Sequence, residues 1–560
     1  MSISRPALWL VALLIAVDAH AAPELILVAD VVTVHDDRPR AEAVAVEAGL
    51  ITAVGGEREV MALADDATRI ERLDGTLVPG FFDAHGHLWL TGLQALFADL
   101  MPPPDGGVRS IAELQQGLRV WAAEEQVDLD GGWIVGMGYD DAQLLQRRHP
   151  TREELDAVST QRPVFAVHQS WHLGAVNSVA LARLGIDADT PDPEGGHIRR
   201  DADGEPTGVL EETAFTGALL PVLAGLDAAA AGELVRRGIE AYVANGFTTA
   251  QEGAAGAPML AALGGAAALA PLPIDVTAYA TIAHLEAHPE LFPRDRAYDN
   301  GLRIAGTKLL LDGSPQGRTA WLTSPYHRPP GGRGPDYRGY PINRDEEVRA
   351  WVDRAFAEGC QVIAHANGDA AADQLIDAVR AARARHGAGD RRTIVIHAQT
   401  LRDDQLDAMA ELDMYPSYFS AHTFYWGDWH RDVVLGPRRA DRISPTRSAL
   451  DRGLWFTIHH DAPIIDPNPL RLIHATVNRR TRSGDILGPE QRVDALTALK
   501  ATTLWAARQA FEEDEKGSIE VGKRADLALL SGDPLAVDPE AIIGLRVLGT
   551  MKDGRWVYTE

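Results

Sequence analysis

The stretch LVPGFFDAHGHLWL, residues 77–90, decides the fold, because it joins an apolar run with the composition of a strand to two histidines. Pro79 and Gly80 open the run. Alternate side chains of a strand point the same way, so the predicted strand projects His85 and His87 together. Two imidazoles at this spacing suit a zinc-like ion. With 19 histidines in the chain, an H-x-H triplet is expected by chance about once, so a metal pair and an ordinary structural pair stay equally open here.

Polar residues also lie at or near the ends of apolar runs later in the chain. The run IAGTKLLLDG contains Lys308, VIAHANGD contains His365, and IVIHAQT contains His397. The run WFTIHHDAP contains His459, His460 and Asp461. A polar side chain in a dry strand costs free energy unless a partner satisfies it. Because the carboxyl ends of barrel strands form the functional face of a barrel, we expect these side chains to meet in one metal centre.

Lys308 is the least expected member of this set, because a bare ammonium is electrostatically unfavourable beside metal cations. Its neutral amine could add carbon dioxide and become a carbamate, an anion whose two oxygens bridge two metals. The other interpretation is an ion pair between Lys308 and Asp312 or another carboxylate. The sequence leaves both interpretations open.

The two ends of the chain are rich in short strands, whereas strands and helices alternate between them. This alternation predicts an α/β fold, a (β/α)₈ TIM-type barrel over residues 81–485, with an open doubly wound sheet as the alternative. Residues 23–80 and 486–560 predict a β-sandwich built from both termini, the second part opening with a helix. Residues from about 95 to 245 fit the alternation poorly and are predicted to be an inserted α/β segment.

Residues 1–22 predict a secretory signal peptide. Arg5 precedes an apolar run at residues 7–17, and Ala19-His20-Ala21 has the small-residue pattern of a cleavage site. A buried N-terminal helix is the alternative. The single cysteine, Cys360, excludes an intrachain disulfide. We therefore expect an exported protein, periplasmic or secreted.

The charge balance narrows the class of partner. A net charge of -27 and a pI of about 5.1 argue against nucleic acid and against anionic membranes. We expect a small-molecule substrate, no nucleic acid, and no membrane contact once the leader is removed. A homo-oligomer is compatible with the sequence.

The order H-x-H, Lys, His, His, Asp resembles the amidohydrolase superfamily, and the wider match is to its YtcJ-like branch, amidohydrolase family 3. The segments that carry this resemblance span nearly the whole mature chain: PGFFDAHGHL, GGWIVGMGYDD, HLGAVNSVAL, GGHIRRDADGEPTGVLEETA, TKLLLDGSPQGRTA, IAHANGDAA, IHAQ, HHDAP and GSIEVGKRADLALL. The resemblance implies the barrel, the terminal β-sandwich, the insertion and a metal-dependent hydrolase of carbon–nitrogen bonds.

The resemblance also implies a site with two divalent ions, zinc being the expected metal. The resemblance implies that His85, His87 and Asp461 hold the first ion and that His365 and His397 hold the second. N6-carboxylated Lys308 would bridge the two ions. Asp461 would also handle the proton, while the metals make hydroxide available near neutral pH. One occupied ion stays open, because members of the superfamily differ in metal count.

One departure concerns the last motif, because many relatives have Ser-Asp where this chain has His460-Asp461, preceded by His459. The extra imidazole would contact substrate or fill space. Further candidates for substrate contact are His172, Glu212, Gln316, Arg318 and Trp426, with ordering of the insertion, a salt bridge or loop packing as their structural alternatives. Asp83 shares the face of His85 but lies deeper, so we expect it to support the site without binding metal.

These patterns predict an amidohydrolase that cleaves an amide or N-acyl bond with metal-activated hydroxide. A cyclic amide or an ester is the alternative substrate. A non-catalytic binding or regulatory protein on the same scaffold is the alternative from another class, which the intact ligand set disfavours.

Overall fold

The computed structural model describes residues 22–124, 132–223, 228–293 and 295–560. The predicted signal peptide lies outside these residues, apart from Ala22 at its end. Within the described ranges, no helix combines the length and the apolar character needed to cross a membrane.

The described residues contain twenty-one strands. In chain order they are β1 Leu25–Val32, β2 Arg40–Glu47, β3 Leu50–Gly55, β4 Arg69–Pro79, β5 Phe81–Phe82, β6 Ala98–Asp99, β7 Ile134–Tyr139, β8 Val164–His168, β9 Leu173–Val176, β10 Gly196–Arg200, β11 Pro206–Glu212, β12 Phe247–Ala255, β13 Asp275–Thr281, β14 Leu302–Leu310, β15 Gln361–Ala366, β16 Thr393–His397, β17 Met414–Tyr418, β18 Thr457–Ile458, β19 Leu527–Leu530, β20 Val547–Lys552 and β21 Arg555–Thr559.

The helices of the same residues connect and cover these strands. They are α1 Glu57–Met61, α2 Leu88–Gln94, α3 Ile111–Glu124, α4 Arg152–Asp156, α5 Ser178–Leu184, α6 Thr213–Leu223, α7 Ala228–Val243, α8 Ala257–Leu269, α9 Ile282–Ala287, α10 Asp345–Ala357, α11 Asp369–His386, α12 Asp403–Leu412, α13 His422–Tyr425, α14 Gly427–Trp429, α15 Pro437–Ala440, α16 Thr446–Leu450, α17 Pro469–Asn478, α18 Ala495–Thr502 and α19 Leu504–Gln509, with short 3₁₀ turns at Pro289–Leu291, Pro489–Gln491 and Pro539–Gly544 and a π turn at His430–Val434.

An eight-stranded sheet carries the middle of the chain. Its order is β18-β17-β16-β15-β14-β13-β12-β5, and every neighbouring pair is parallel. Strands β15 and β16 are buried along their whole length, as expected where helices cover a parallel sheet. Helix α11 shows the matching pattern, because its buried Leu375, Val379 and Ala382 recur every three or four residues.

Hydrogen bonds also join the chain segments that follow the first and last strands of this sheet. The Asp461 N–H donates to the His85 carbonyl over 3.1 Å, and the His87 N–H donates to the Ala462 carbonyl over 2.8 Å. The sheet is therefore curled, and its two outer strands β5 and β18 come near each other at their carboxyl ends.

Strands from both termini form a second sheet of seven strands in the order β21-β20-β19-β4-β1-β2-β3. β4 joins the two halves, since it pairs with β1 and with β19. Alternate residues of β1 enter different clusters: Leu25 and Leu27 pack with Met551 and Leu527, whereas Ile26 packs on the side of α1.

The predicted insertion contains a third sheet, in the order β10-β11-β9-β8-β7-β6. It is mixed, because β6, β7 and β8 pair in parallel while β8, β9, β11 and β10 pair antiparallel. This mixture explains why this part of the sequence did not follow the strand–helix alternation of the rest.

The continuous strand predicted for residues 77–90 is wrong. β4 ends at Pro79 in the terminal sheet, β5 is only Phe81–Phe82 in the parallel sheet, and α2 begins at Leu88. Gly80 lies where the chain changes sheets, and a Cβ there would lie 2.4 Å from Cγ2 of Thr248. His85 and His87 therefore lie in the loop after β5, and the loop rather than the pleat orients them.

Candidate metal centre

The predicted metal ligands all lie at the carboxyl end of the parallel sheet. Lys308 is in β14, His365 in β15, His397 ends β16, Asp461 follows β18, and His85 and His87 follow β5. All six side chains line one cavity. The register of parallel strands brings together residues that are up to several hundred positions apart in the chain.

The donor atoms of this cluster are close to one another. Asp461 Oδ1 lies 3.5 Å from Nε2 of His85 and 3.3 Å from Nε2 of His87. Asp461 Oδ2 lies 3.8 Å from Nε2 of His397. Lys308 Nζ lies 2.8 Å from Nε2 of His85. The His365 and His397 rings are 4.5 Å apart between centroids, so both enter the same cluster.

Each of the four imidazoles has a neighbour on its Nδ1 atom. The Nε2 atoms of His85, His87 and His397 face Asp461, whereas His365 Nε2 lies 3.2 Å from Asn367 Nδ2. The Nδ1 pairs are His85 with Gln251 Oε1 at 2.7 Å, His87 with Glu252 Oε1 at 3.5 Å, His365 with Asp312 Oδ1 at 3.2 Å, and His397 with His459 Nε2 at 3.1 Å. Such outer partners are typical of histidine metal ligands, because they fix the ring and its tautomer.

The His85 tautomer follows from the Gln251 amide. Gln251 Nε2 donates to the Ala84 carbonyl over 2.9 Å, so Oε1 is the atom that faces His85 Nδ1. An amide oxygen only accepts, so Nδ1 carries the proton and Nε2 keeps its lone pair. That lone pair points into the cluster, 2.8 Å from Lys308 Nζ and 3.5 Å from Asp461 Oδ1, where it can bind a cation.

The pKa shifts of three of the imidazoles and of Lys308 agree with a metal-binding cluster. Burial holds the pKa values of His85, His365 and His397 well below the usual range, so these imidazoles are neutral and able to bind metal. Burial also lowers the pKa of Lys308, and the carboxylate of Asp461 offsets this only in part, so the pKa is about 7. Asp461 Oδ1 is buried without a hydrogen-bond partner among the described residues. This donor set fits divalent cations.

The ion pair of Lys308 with Asp312, which the sequence left open, is not formed. Asp312 accepts hydrogen bonds from the backbone N–H groups of Asn367, Gly368 and Trp321 over 2.7 to 3.0 Å, besides its contact with His365. Its carboxylate therefore anchors the loop after β15 and the ring of His365, while Lys308 faces the cluster.

The backbone is strained where it delivers two of these ligands. His397 has a φ of 70° and Asp461 a φ of 55°, both in the left-handed region that non-glycine residues rarely adopt. Such conformations cost free energy and concentrate at functional sites. Tight packing holds His85 as well, since a Cβ on Gly253 would lie 2.3 Å from Cε1 of its ring.

Asp83 lies behind this cluster, in agreement with its predicted supporting role. It accepts hydrogen bonds from the Tyr242 hydroxyl over 2.9 Å, the Gln251 N–H over 3.1 Å and the His85 N–H over 3.0 Å. His460 Nε2 lies 3.3 Å from Oδ1 of Asp83. Asp83 thus fixes the loop that carries His85.

The cavity beside the cluster has a volume of about 320 Å³ and mostly apolar walls. Two of the predicted substrate contacts, His172 and Glu212, line it, and His172 Nδ1 lies 2.7 Å from Oε2 of Glu212. The apolar walls come from the insertion, which includes α6, and from residues in and around the parallel sheet: Leu90, Trp171, Phe215, Leu219, Leu220, Leu223, Met259, Leu310, Ile342 and Ile464.

The other predicted substrate contacts lie elsewhere. Gln316 borders a smaller neighbouring cavity together with Ser170 and Asn367. Arg318 lies over the ring of Trp429, 5.6 Å from its centroid.

Trp426 and His460, like Arg318, are absent from the lining of the main cavity. Trp426 is buried and donates from Nε1 to Asp140 Oδ2 over 2.6 Å. His460 points to Asp83 and packs against Tyr242 and Phe247. A hydrogen bond holds the Trp426 side chain, and aromatic packing holds that of His460.

His459 and two polar residues of β12 contact the candidate ligands, a position that the sequence did not assign to them. His459 supports His397 and is held in turn by Ser417, whose Oγ lies 2.7 Å from its Nδ1. Gln251 and Glu252 are polar and fully buried in β12. Two adjacent polar residues in an apolar run were the signal in the sequence for this strand.

A second group of possible ligands, Asp141, His149 and His168, is buried in the insertion. His168 Nδ1 accepts the backbone N–H of Ser170 over 3.0 Å, so the proton of a neutral ring lies on Nε2, 3.2 Å from Asp141 Oδ1. A protonated Nε2 donates to the carboxylate and cannot bind metal there. This group is a hydrogen-bonded network, and only the cluster around Asp461 fits cations among the described residues.

Comparisons with known proteins place these observations in context. The model of the amidohydrolase family matches residues 74–558. The chain is 30% identical over 538 residues to N-substituted formamide deformylase of Arthrobacter pascens, covering 95% of this chain and 97% of that protein. It is 29% identical over 552 residues to the putative amidohydrolase YtcJ of Bacillus subtilis strain 168, covering 94% and 97%.

A solved structure is similar over the same extent. The crystal structure of an uncharacterized metal-dependent hydrolase from Pyrococcus horikoshii OT3 superimposes with a TM-score of 0.72 at 25% identity, covering 92% of this chain and 99% of that chain.

Proposed function

Because this chain belongs to the amidohydrolase family and is a metal-dependent hydrolase of carbon–nitrogen bonds, we propose that its substrate is a neutral amide with an apolar substituent on nitrogen. The observation that carries this proposal is the apolar cavity that opens directly beside the cluster around Asp461. The relative from Arthrobacter pascens is named for its action on N-substituted formamides, which are amides with a substituent on nitrogen.

We propose that the cluster holds two divalent ions, with zinc as the metal. His85, His87 and Asp461 would hold one ion, His365 and His397 the other, and Lys308, N6-carboxylated, would bridge them. Nitrogen and carboxylate donors of this kind suit zinc. Bound divalent ions lower the pKa of water and polarise a carbonyl oxygen, which supplies the nucleophile and the electrophilic activation for hydrolysis.

The protein's own residues supply proton transfer and positioning. Asp461 has two carboxylate oxygens, so it can contact cations and still take the proton of the attacking water and pass it to the departing nitrogen. Gln251, Glu252 and His459 hold the imidazoles in place. The apolar walls exclude water from the substituent and orient the amide toward Asp461.

The charge of the cavity distinguishes amides from N-acyl amino acids. Among the described residues that line it, Lys308 is the only lysine or arginine, and it faces the cluster. Arg318, a candidate partner for a substrate carboxylate, lies outside this lining. An N-acyl amino acid would therefore place its carboxylate against the apolar walls without a lysine or arginine partner there, which costs free energy. The cavity favours a neutral substituent.

The test compares two formamides that differ by one carboxylate, N-(2-phenylethyl)formamide and N-formylphenylalanine. We expect the zinc-loaded protein to release formate from the first with a kcat/KM about 100-fold higher than from the second. A leucine of the wall replaced by arginine, Leu219→Arg, should narrow this ratio by giving the carboxylate a partner. A preference of the wild type for the carboxylated formamide would overturn the proposal.

We propose that the curled parallel sheet closes as a (β/α)₈ barrel over residues 81–485, with an insertion at about 95–245. The hydrogen bonds that link the segments after β5 and β18 support closure. Residues 23–80 and 486–560 would form a β-sandwich, since both halves of the terminal sheet share one apolar cluster. A crystal structure with β5 and β18 far apart would contradict the barrel.

We also propose that the protein is exported, periplasmic or secreted, because residues 1–22 have the composition of a signal peptide. The mature chain is expected to begin near Ala22 or Pro23. N-terminal sequencing of protein from the periplasm or the medium checks this, and an intact Met1 in that material would contradict export.

A further inference from the structure

Ser170 is a cavity-lining residue that the metal cluster does not use. It lies in the insertion just after β8, between His168 and His172. Ser170 borders both the large apolar cavity and the smaller cavity beside Gln316. Because Asp461 borders the same two cavities, Ser170 lies where the reacting end of a bound amide is held.

Four short contacts define what the Ser170 hydroxyl can do. Its Oγ lies 2.9 Å from Nδ1 of His168, and the Ser170 backbone N–H donates to the same Nδ1 over 3.0 Å. On the other side of the ring, His168 Nε2 lies 3.2 Å from Asp141 Oδ1. Ser170 Oγ also accepts the backbone N–H of His172 over 3.3 Å.

The backbone contact decides the protonation of His168. The proton of a backbone N–H has a fixed place, so Nδ1 must offer its lone pair there and carries no proton. Burial lowers the pKa of His168, but Asp140 and Asp141 raise it overall, and the proton that they favour is the one on Nε2, which lies 3.7 and 3.2 Å from their carboxylate oxygens. A second proton would have to go on Nδ1, where the backbone donor already points. The geometry therefore keeps a lone pair on Nδ1 and a proton on Nε2.

Because Nδ1 carries no proton, the Ser170 hydroxyl is the donor in their 2.9 Å contact and shares the Nδ1 lone pair with the backbone N–H. A hydroxyl has one proton and two lone pairs, and one lone pair accepts the His172 N–H. The lone pair that remains is available to the cavity that the side chain lines. Towards a bound molecule, Ser170 is an acceptor and cannot donate.

We propose that Ser170 Oγ accepts a hydrogen bond from the amide N–H of the substrate, so that the enzyme selects secondary over tertiary amides. This rests on the proposed function, because it concerns the nitrogen of the bond cleaved there. Holding the N–H fixes the direction in which the nitrogen lone pair develops, toward the proton carried by Asp461. A tertiary amide has no such hydrogen and leaves the buried oxygen facing a substituent.

The experiment uses two substrates with the same benzyl group, N-benzylformamide and N-benzyl-N-methylformamide, and the zinc-loaded full-length protein. We expect the wild type to prefer the secondary amide by about 10-fold or more in kcat/KM. In Ser170→Ala the secondary amide should lose about this factor while the tertiary amide is unaffected. The ratio is measured within one preparation, so it does not depend on how much of the variant is folded.

Thr216→Ala is the matched control. Thr216 also lines the large cavity, but its hydroxyl donates to the Glu212 carbonyl over 3.2 Å outside the His168 network. The kcat/KM ratio of the secondary to the tertiary amide in Thr216→Ala should equal that of the wild type. In His168→Phe the Ser170 hydroxyl loses its acceptor and can donate into the cavity. The preference for the secondary over the tertiary amide should therefore fall.

Two outcomes would overturn the inference while the proposed function stands: equal cleavage of both amides by the wild type, or an equal loss for both in Ser170→Ala. If the zinc-loaded wild type cleaves neither amide, the proposed substrate class falls together with the role of Ser170.

Discussion

Asp461→Asn is expected to lower kcat/KM for the preferred formamide by about 1,000-fold. The amide has the size of the carboxylate but cannot take up the proton of the attacking water or return it to the departing nitrogen. It also removes a negative charge from the cluster, where Asp461 oxygens lie 3.3 to 3.8 Å from three imidazole nitrogens. The measurement is steady-state hydrolysis together with the metal content of the same sample.

Asp485→Asn is the control for this change. Asp485 is exposed and accepts from Arg431 over 2.8 Å, remote from the cluster. It should behave like the wild type. If Asp461→Asn retains its metal and loses turnover, the proton role is separated from metal binding; turnover at the wild-type rate would contradict both roles.

Lys308→Ala is expected to lose bound metal and to lower activity by about 100-fold or more. Its amine lies inside the cluster, 2.8 Å from His85 Nε2, and burial makes the neutral form accessible. As a carbamate it would supply two oxygens that no other residue replaces. Short carboxylic acids such as propionate should restore part of the activity by occupying the space of the carbamate.

Lys500→Ala, in which a surface amine that bonds Asp36 over 2.6 Å is removed, is the control and should keep both metal and activity. Mass spectrometry of gently handled wild type should show the added mass of carbon dioxide on Lys308. Full metal content and full activity in Lys308→Ala would rule out the bridging carbamate.

The sequence predicted the candidate ligands because each lies in or near the end of an apolar run, and such a run is a local feature of the sequence. Lys308, His365 and His397 each lie in or at the end of a parallel strand, as the strand–helix alternation implied. The same reasoning failed for residues 77–90, where a two-residue strand and a loop replace the predicted strand. An apolar run does not reveal that the chain leaves one sheet for another at Gly80.

The direction of individual side chains escaped the sequence for a different reason. His460 stands beside Asp461 in the chain but faces Asp83, and Trp426 is turned to Asp140. Ser170 was not singled out, although its contacts with His168 are local. Whether a side chain faces a cavity depends on the backbone torsions of loops and on packing from distant segments, and neither has a periodic pattern.

The sequence by itself determined the family, the parallel strands of the middle region and the six candidate ligand positions, because strand periodicity and the ends of apolar runs are encoded over a few neighbouring residues. Only the tertiary structure decided which atoms face the cluster, since Gln251, Glu252 and His459 reach the imidazoles from other segments of the chain. It also decided the apolar cavity, whose walls come from the insertion and from residues in and around the parallel sheet. Contacts between segments so far apart exist only once the chain has folded and brought them together.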